Sequence, residues 1–361
     1  MWRWFVLGAA ACGRLGFAEH VEPALDGDAP SGDGGTSGPT NLVFVTSRRI
    51  APGGLGGPSN ADAICEAGAA AAGRPGAYVA WLSTSTVDAR DRLGAARGWV
   101  RIDGAPVADS SADVAAGRLF YPPQLDELGN PVVAFDDCAV TATGPTGTLS
   151  GSSCADFSVV SSDSIACGKP ASSTGSWTRG SGASCSSMVR LYCFGVDHVQ
   201  PVTIAPPPAA RRTAFISQAA FDPGGGIAAA DALCASEAAG LPGTFAALLA
   251  TTTANARSRF APGAPWYRVD GAKFTDDFSQ IYAPLNVTAV GVHLDTPFVW
   301  SGAFDVAMVG TNASTCSSWT QFAGRAVGFT GNASSATSEF FLAAPMSACD
   351  FGAYRLYCLQ R

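Results

Sequence analysis

Residues 53–84 read GGLGGPSNADAICEAGAAAAGRPGAYVAWLST, and residues 224–251 read GGGIAAADALCASEAAGLPGTFAALLAT. The second stretch restates the first. The echo continues in register: Trp99-Val-Arg-Ile-Asp-Gly-Ala105 returns as Trp266-Tyr-Arg-Val-Asp-Gly-Ala272, and Arg190-Leu-Tyr-Cys193 returns as Arg355-Leu-Tyr-Cys358. The offset drifts only from 169 residues at Cys65/Cys234 to 165 at Cys193/Cys358. That period is far longer than the roughly 20–50 residues of a solenoid unit, so each copy is expected to carry its own core. The chain therefore reads as a signal over 1–19, a flexible linker over 20–40, a first domain over 41–196, a proline-rich linker over 197–211, and a second domain over 212–361.

Cysteine usage sets the compartment. Copy one holds Cys65, Cys138, Cys154, Cys167, Cys185 and Cys193; copy two holds Cys234, Cys316, Cys349 and Cys358. Even sets at matching places point to disulfides and an oxidising environment. A metal site is the competing reading, but there is no CxxC, and His20, His198 and His293 lie far apart in sequence. Cys12 is left over, and it follows Met1-Trp-Arg-Trp and the short apolar run Phe5–Ala11. A positive start, an apolar stretch and small residues describe an export signal. Cysteine immediately after it resembles a bacterial lipoprotein signal, in which Cys12 becomes the lipidated N-terminus. The alternative is ordinary cleavage near Ala18, which discards Cys12.

Charge excludes one large class of partner. The formal net charge is −7, with only 14% charged residues, and just Lys169 and Lys273 are lysines. Nucleic acid and heparin-like polyanions need dense Lys/Arg, so neither is expected. Residues 20–40 are Gly, Pro, Ser, Asp and Thr with little to bury, as in a flexible tether; 197–211 is stiffer because of its prolines.

Locally, copy one mixes helix and strand. Leu42–Thr46 is a β-rich run. Ser59 or Asn60 is placed to cap a helix reaching about Ala72, with Gly73 as its stop. Ile64, Cys65, Gly68 and Ala72 share a face at 3–4 spacing, which turns Cys65 inward. Ala77–Leu82 reads as a buried strand, and Val87–Ala96 as a second helix with Asp91 and Arg92 toward solvent. Asp103-Gly104 between alternating residues signals a hairpin, and Met188–Phe194 is the last strand. Early helices followed by irregular strands give an α+β fold.

These residues carry a resemblance. Gly-Gly, then Ala-Asp-x-x-Cys, then Gly-x-Pro-Gly-x-Tyr/Phe-x-Ala-x-Leu, and a closing Arg-Leu-Tyr-Cys resemble the endostatin module found at the C-terminus of certain collagens. They also resemble its bacterial relatives, a family of secreted or lipoprotein domains largely without assigned function. The resemblance covers both copies and implies a C-type-lectin-like fold, with two helices around an irregular antiparallel sheet. It implies nested bridges, Cys65–Cys193 with Cys154–Cys185, and Cys234–Cys358 with Cys316–Cys349. Cys138 and Cys167, extra in copy one, would then pair with each other. The zinc-binding histidines and arginine-rich face of endostatin do not carry over. Nor do the Glu-Pro-Asn, Gln-Pro-Asp and Trp-Asn-Asp motifs of calcium-dependent lectins.

A catalytic triad or dyad needs a histidine, and copy one has none between residues 41 and 196. Copy two has His293, without a repeated counterpart, which reads as structural. Asp136-Asp137 and Asp276-Asp277 read as solvated loop charge. Asp62 and Asp231 fall in a helix's opening turn, where a carboxylate complements the dipole. Arg101-x-Asp103 and Arg268-x-Asp270 fall at hairpin turns and read as structural. Asn286, Asn312 and Asn332 begin glycosylation sequons that matter only in a eukaryotic host. The expectation is a non-catalytic, exported surface protein, without cofactor or metal, that binds an extracellular protein or glycan and reaches the membrane through its N-terminal lipid. Two alternatives are a calcium-independent carbohydrate-binding protein, for which Phe120-Tyr121 or Trp177 would have to be exposed, and a structural envelope protein.

Overall fold

The computed structural model describes residues 39–133, 137–295, 298–322, 326–352 and 354–361. Cys12, the expected export signal and the expected tether up to residue 38 lie outside the described residues. The fold is α+β, and it repeats. In copy one the strands are β1 (Asn41–Val45), β2 (Tyr78–Ala80), β3 (Trp99–Val100), β4 (Pro106–Ala108), β5 (Ala139–Val140), β6 (Ser164–Gly168), β7 (Ser181–Ser184) and β8 (Tyr192–Gly195). Copy two supplies β9 (Arg212–Ile216), β10 (Phe245–Ala247), β11 (Trp266–Arg268), β12 (Lys273–Thr275), β13 (Phe298–Trp300), β14 (Val327–Asn332), β15 (Ala344–Ala348) and β16 (Tyr357–Gln360). One five-stranded sheet runs β2-β8-β1-β3-β4, and the other runs β10-β16-β9-β11-β12. These are the same order with the copies exchanged. In each, the first strand pairs in parallel with the Trp-bearing strand, as Asn41 with Trp99 and Arg212 with Trp266, and antiparallel with the last. A smaller three-stranded sheet accompanies each copy, β5-β6-β7 and β13-β14-β15.

The five-stranded sheets are buried on both faces. Phe44 packs on one side with Ala61, Cys65, Ala69 and Cys193, whereas Val43 and Val45 pack on the other with Trp81, Trp99, Trp177 and Tyr192. Alternation along one strand thus feeds two separate core layers. The long helix α1 (Pro58–Ala71) covers the first layer. It starts differently from the sequence expectation: Gly57 is the cap, at φ 118°, and Pro58 opens the helix, with no side-chain cap from Ser59 or Asn60. Proline needs no hydrogen-bond partner at that position, so a serine cap is dispensable. Its buried stripe is Ala61, Cys65 and Ala69, with Ile64, Gly68 and Ala72 at the margin. The stop is as expected: Gly73 sits at φ 73°, and the Gly73 and Arg74 N–H groups return to Ala70 and Ala69 carbonyls.

The second helix is shorter than its sequence pattern. Only α2 (Ala89–Arg92) forms, and Arg92 does not face solvent. Its guanidinium donates to both oxygens of Asp62 at 2.7 and 2.6 Å and to the Ala80 carbonyl at 2.6 Å. Asp62 also accepts from the Ala80 N–H at 2.8 Å; contrary to expectation it lies beyond the first turn of its helix, as does Asp231, so this carboxylate clamps helix to strand instead of complementing a dipole. Copy two repeats the clamp: Arg259 donates to Asp231, which accepts from the Ala247 N–H.

Five disulfides join described cysteines: Cys65–Cys193, Cys138–Cys167, Cys154–Cys185, Cys234–Cys358 and Cys316–Cys349. Each closes within one copy. Two of them hold a conformation that the sequence did not announce. Cys154–Phe157 and Cys316–Trp319 each form a left-handed turn, with φ of 51–68° and 46–66° at four consecutive non-glycine residues. Left-handed backbone costs roughly 1–2 kcal/mol per residue. A bridge at the first residue, a buried Phe157 or Trp319 at the last, and a Ser153 or Thr315 side chain accepting from the backbone between them offset that cost. Disulfides of this number place the chain in an oxidising compartment. Among the described residues no helix is long and apolar enough to cross a membrane.

Candidate functional site

The copies meet along a seam, and beside it lies an open cleft of about 930 Å³. Its floor and one wall come from copy one: Arg90 and Asp91 on α2, Ala112 and Ala115 on α3 (Ser111–Ala115), then Arg118 and the Pro145-Thr146 loop. His293 and Asp295 of copy two complete it. The sequence builds the wall through two local devices. Ser110 caps α3, accepting from the Asp113 N–H and donating to its carboxylate at 2.5 Å. Gly147, at φ 76°, lets the 145–147 loop press on both helices, for a Cβ there would lie 2.9 Å from those of Ala115 and Arg90.

Charges of both signs line the cleft. Arg118 donates through Nε and Nη2 to Asp113 at 3.0 and 2.8 Å, with nearly half its side chain exposed. Burial works against the Asp113 carboxylate, but bonds from Ser110 and Arg118 prevail and hold its pKa below the ordinary value. Arg90 is held loosely: its contacts with Asp88 and Asp91 are both 3.7 Å, longer than a hydrogen bond. His293 sits on a turn anchored by the Leu294 N–H to the Asn286 carbonyl. Burial, reinforced by Arg268 and Arg118 against Asp270 and Asp113, pulls its pKa down to about 4. The imidazole is therefore neutral near pH 7, with a buried Nδ1 that has no hydrogen-bond partner. Asp270, behind it, is held low: burial opposes ionisation, yet the charge and bonds of Arg268 outweigh burial.

Several residues singled out in the sequence lie elsewhere. Tyr121 and Trp177 are 5% and 0% exposed, and Phe120 packs at the seam, so none of the three is a surface platform. Each packs among apolar side chains brought from distant parts of the chain. Asp137 is paired with Arg49 and Arg190, while Asp136 lies outside the described residues. Asp276 bonds the Tyr282 hydroxyl and Lys273; Asp277 bonds Ser279 and contacts Arg257. Arg97 pairs with Asp109, Arg101 with Asp103, and Arg212 lies over the Trp266 ring. Arg97 and Arg101 are thus neutralised by carboxylates, whereas Arg212 is held by the Trp266 ring and the Ala261 and Ala264 carbonyls. Asn286 is fully buried, which blocks the first sequon, whereas Asn312 is exposed. His198 serves through its backbone, its N–H donating to Asn41.

The cleft residues Arg90, Arg118 and Thr146 drew no attention in the sequence because repetition was the guide there. A ligand site on one copy is legible instead as departure from the repeat. His293 is such a departure: the turn equivalent to its own, anchored in copy one by the Val132 N–H to the Gln124 carbonyl, carries Pro131. Among the described residues no group of three or more His, Cys, Asp or Glu converges as a metal site. Comparison with protein-family models and with curated protein sequences finds no match.

Proposed function

We propose that this chain is a non-catalytic, exported binding protein, lipid-anchored through Cys12, that holds its target in the cleft beside the seam. Each copy is read as a C-type-lectin-like, endostatin-like domain. A helix bridged to the last strand, a second bridge inside it, and an irregular antiparallel sheet support that reading. The observation that carries the function is the cleft itself, which is lined by both copies. The ten described cysteines are all bridged and so offer no nucleophilic thiol among the described residues. Interspersed guanidinium, carboxylate and imidazole groups suit a ligand dense in both donors and acceptors, and a glycan has that character.

The test is a glycan array probed with purified Cys12→Ser protein. Wild type should fractionate with membranes and the Cys12→Ser form should not, since two or more acyl chains are needed for stable anchorage. Arg90→Ala, which removes a loosely held guanidinium at low folding cost, should weaken any array signal about tenfold, as expected for a lost charged hydrogen bond. Binding that survives Arg90→Ala and Asp295→Ala unchanged would move the site away from the cleft. Soluble wild type beginning near Glu19 would remove the anchor.

A further inference from the structure

The contacts across the seam are made largely between equivalent positions of the two copies. Tyr192 bonds the Trp177 carbonyl and Tyr357 bonds the Phe340 carbonyl, while a Cβ on Gly168 or Gly331 would strike those same carbonyls. These contacts make Gly168 the counterpart of Gly331 and Ser172 the counterpart of Ser335. Ser172 and Ser335 face each other as an antiparallel bridge. The Ser173 N–H donates to the Ser334 carbonyl at 2.8 Å, and the Ala336 N–H donates to the Ala171 carbonyl at 2.8 Å. The second bond is the first with the copies exchanged.

The apolar part of the seam obeys the same rule. Arg101 and Arg268 close their turns identically, donating their N–H groups to the Ala105 and Ala272 carbonyls, so those alanines correspond. Phe120 and Tyr282 donate to Val107 and Phe274 carbonyls and correspond likewise. Ala105, Phe120 and Tyr121 form one cluster with Ala272, Tyr282 and Ala283, so equivalent positions of both copies share it. A surface that contacts its own equivalent is the mark of an isologous, two-fold interface.

We infer that this face is a self-association surface whose partner is a second copy of the same module, here supplied by the same chain. The tandem is then a fused pseudo-dimer and not two beads on a spacer. Ser172, Ser173, Ser334 and Ser335 are at most 1% exposed, and Ser173 and Ser334 bond across the seam, the Ser334 hydroxyl reaching that of Thr174 at 2.8 Å. Lys169 and Glu339 add an ion pair at 2.8 Å on the rim. The linker joins the same contact, with Val202 donating to Asp109 and Ile204 packing on the apolar cluster. Its role is to raise the effective concentration of one copy at the other's face. This inference goes beyond the proposed function and holds whatever the cleft binds.

The test cuts the chain after it has folded. A protease site inserted between Ala209 and Ala210, both exposed, allows cleavage of the full protein, and no disulfide would hold the products together. Native mass spectrometry and size exclusion should find the two products as a 1:1 complex. Ser335→Arg, at the centre of the seam, should loosen it about 100-fold, as for a disrupted interface centre. If that variant misfolds before cutting, Glu339→Lys replaces it and should loosen the complex about tenfold, the cost of turning a partly buried attraction into repulsion. Products that separate at micromolar concentration, or a complex indifferent to the seam variant used, would overturn the inference.

Discussion

Chains carrying Cys65→Ala and Cys193→Ala together should lose about 4–5 kcal/mol of copy-one stability, the largest single effect expected in this protein. The bridge spans 128 residues, so its absence frees nearly the whole copy in the unfolded state. Both thiols are fully buried between α1 and the sheet, and their loss also leaves a gap in the core. Against a typical domain stability of about 5–15 kcal/mol, most of the margin disappears. Guanidinium unfolding followed by tryptophan fluorescence reads this directly, because Trp81, Trp99 and Trp177 are buried in copy one. The Cys154–Cys185 bridge closes only 31 residues and should cost less on loop entropy, about 3–4 kcal/mol. A reversed ranking would mean that the left-handed turn at Cys154–Phe157, not chain entropy, sets the stabilisation.

Arg268→Met should cost about 3–5 kcal/mol, the penalty for leaving one partner of a buried ion pair behind. Arg268 is 2% exposed and pairs with Asp270, donates to the Pro284 carbonyl at 2.9 Å, and reaches the Leu119 carbonyl of copy one at 3.4 Å. Its counterpart Arg101 pairs with Asp103 but has a buried Nη1 without a partner, so Arg101→Met should cost less. The pH profile separates lost charge from lost packing. In wild type the depressed pKa of Asp270 stabilises the fold above its ordinary value of 3.8, and this contribution fades as pH falls below that. Without Arg268, burial, the largest influence on Asp270, is opposed only by the Ala272 N–H and His293, so the carboxyl pKa rises and the variant's deficit should grow as pH rises from 4 toward 7. Urea unfolding across that range checks it, and a deficit that stays constant with pH would assign the loss to packing.

How much was legible follows from which signals are local. The repeat, the cysteine parity, the Gly73 stop and the Asp103-Gly104 turn are stated by adjacent residues, and they were readable as an α+β tandem in an oxidising compartment. The extent of α2 was not, because the apolar spacing of 87–96 is equally served by a short helix followed by turns. Nor was the fate of Arg92: a charged residue beside Asp91 looks solvated until Asp62, 30 positions earlier, is folded onto it. Phe120, Tyr121 and Trp177 sit in stretches without periodicity, so only their neighbours in space could bury them.

The chain by itself determined that its sequence repeats, that its cysteines fall in even sets suited to bridges and that its formal net charge is −7, since composition and internal repetition need no coordinates. The five pairings are those the resemblance implied, whereas tertiary structure alone decided where four successive residues turn left-handed and that equivalent serines face one another across a seam. These are relations between residues far apart in sequence. Cys65 and Cys193 stand 5.4 Å apart at Cα across 128 residues, and Ser172 meets Ser335. Such contacts are fixed by how sheets and helices exclude water together, which no run of neighbouring residues encodes.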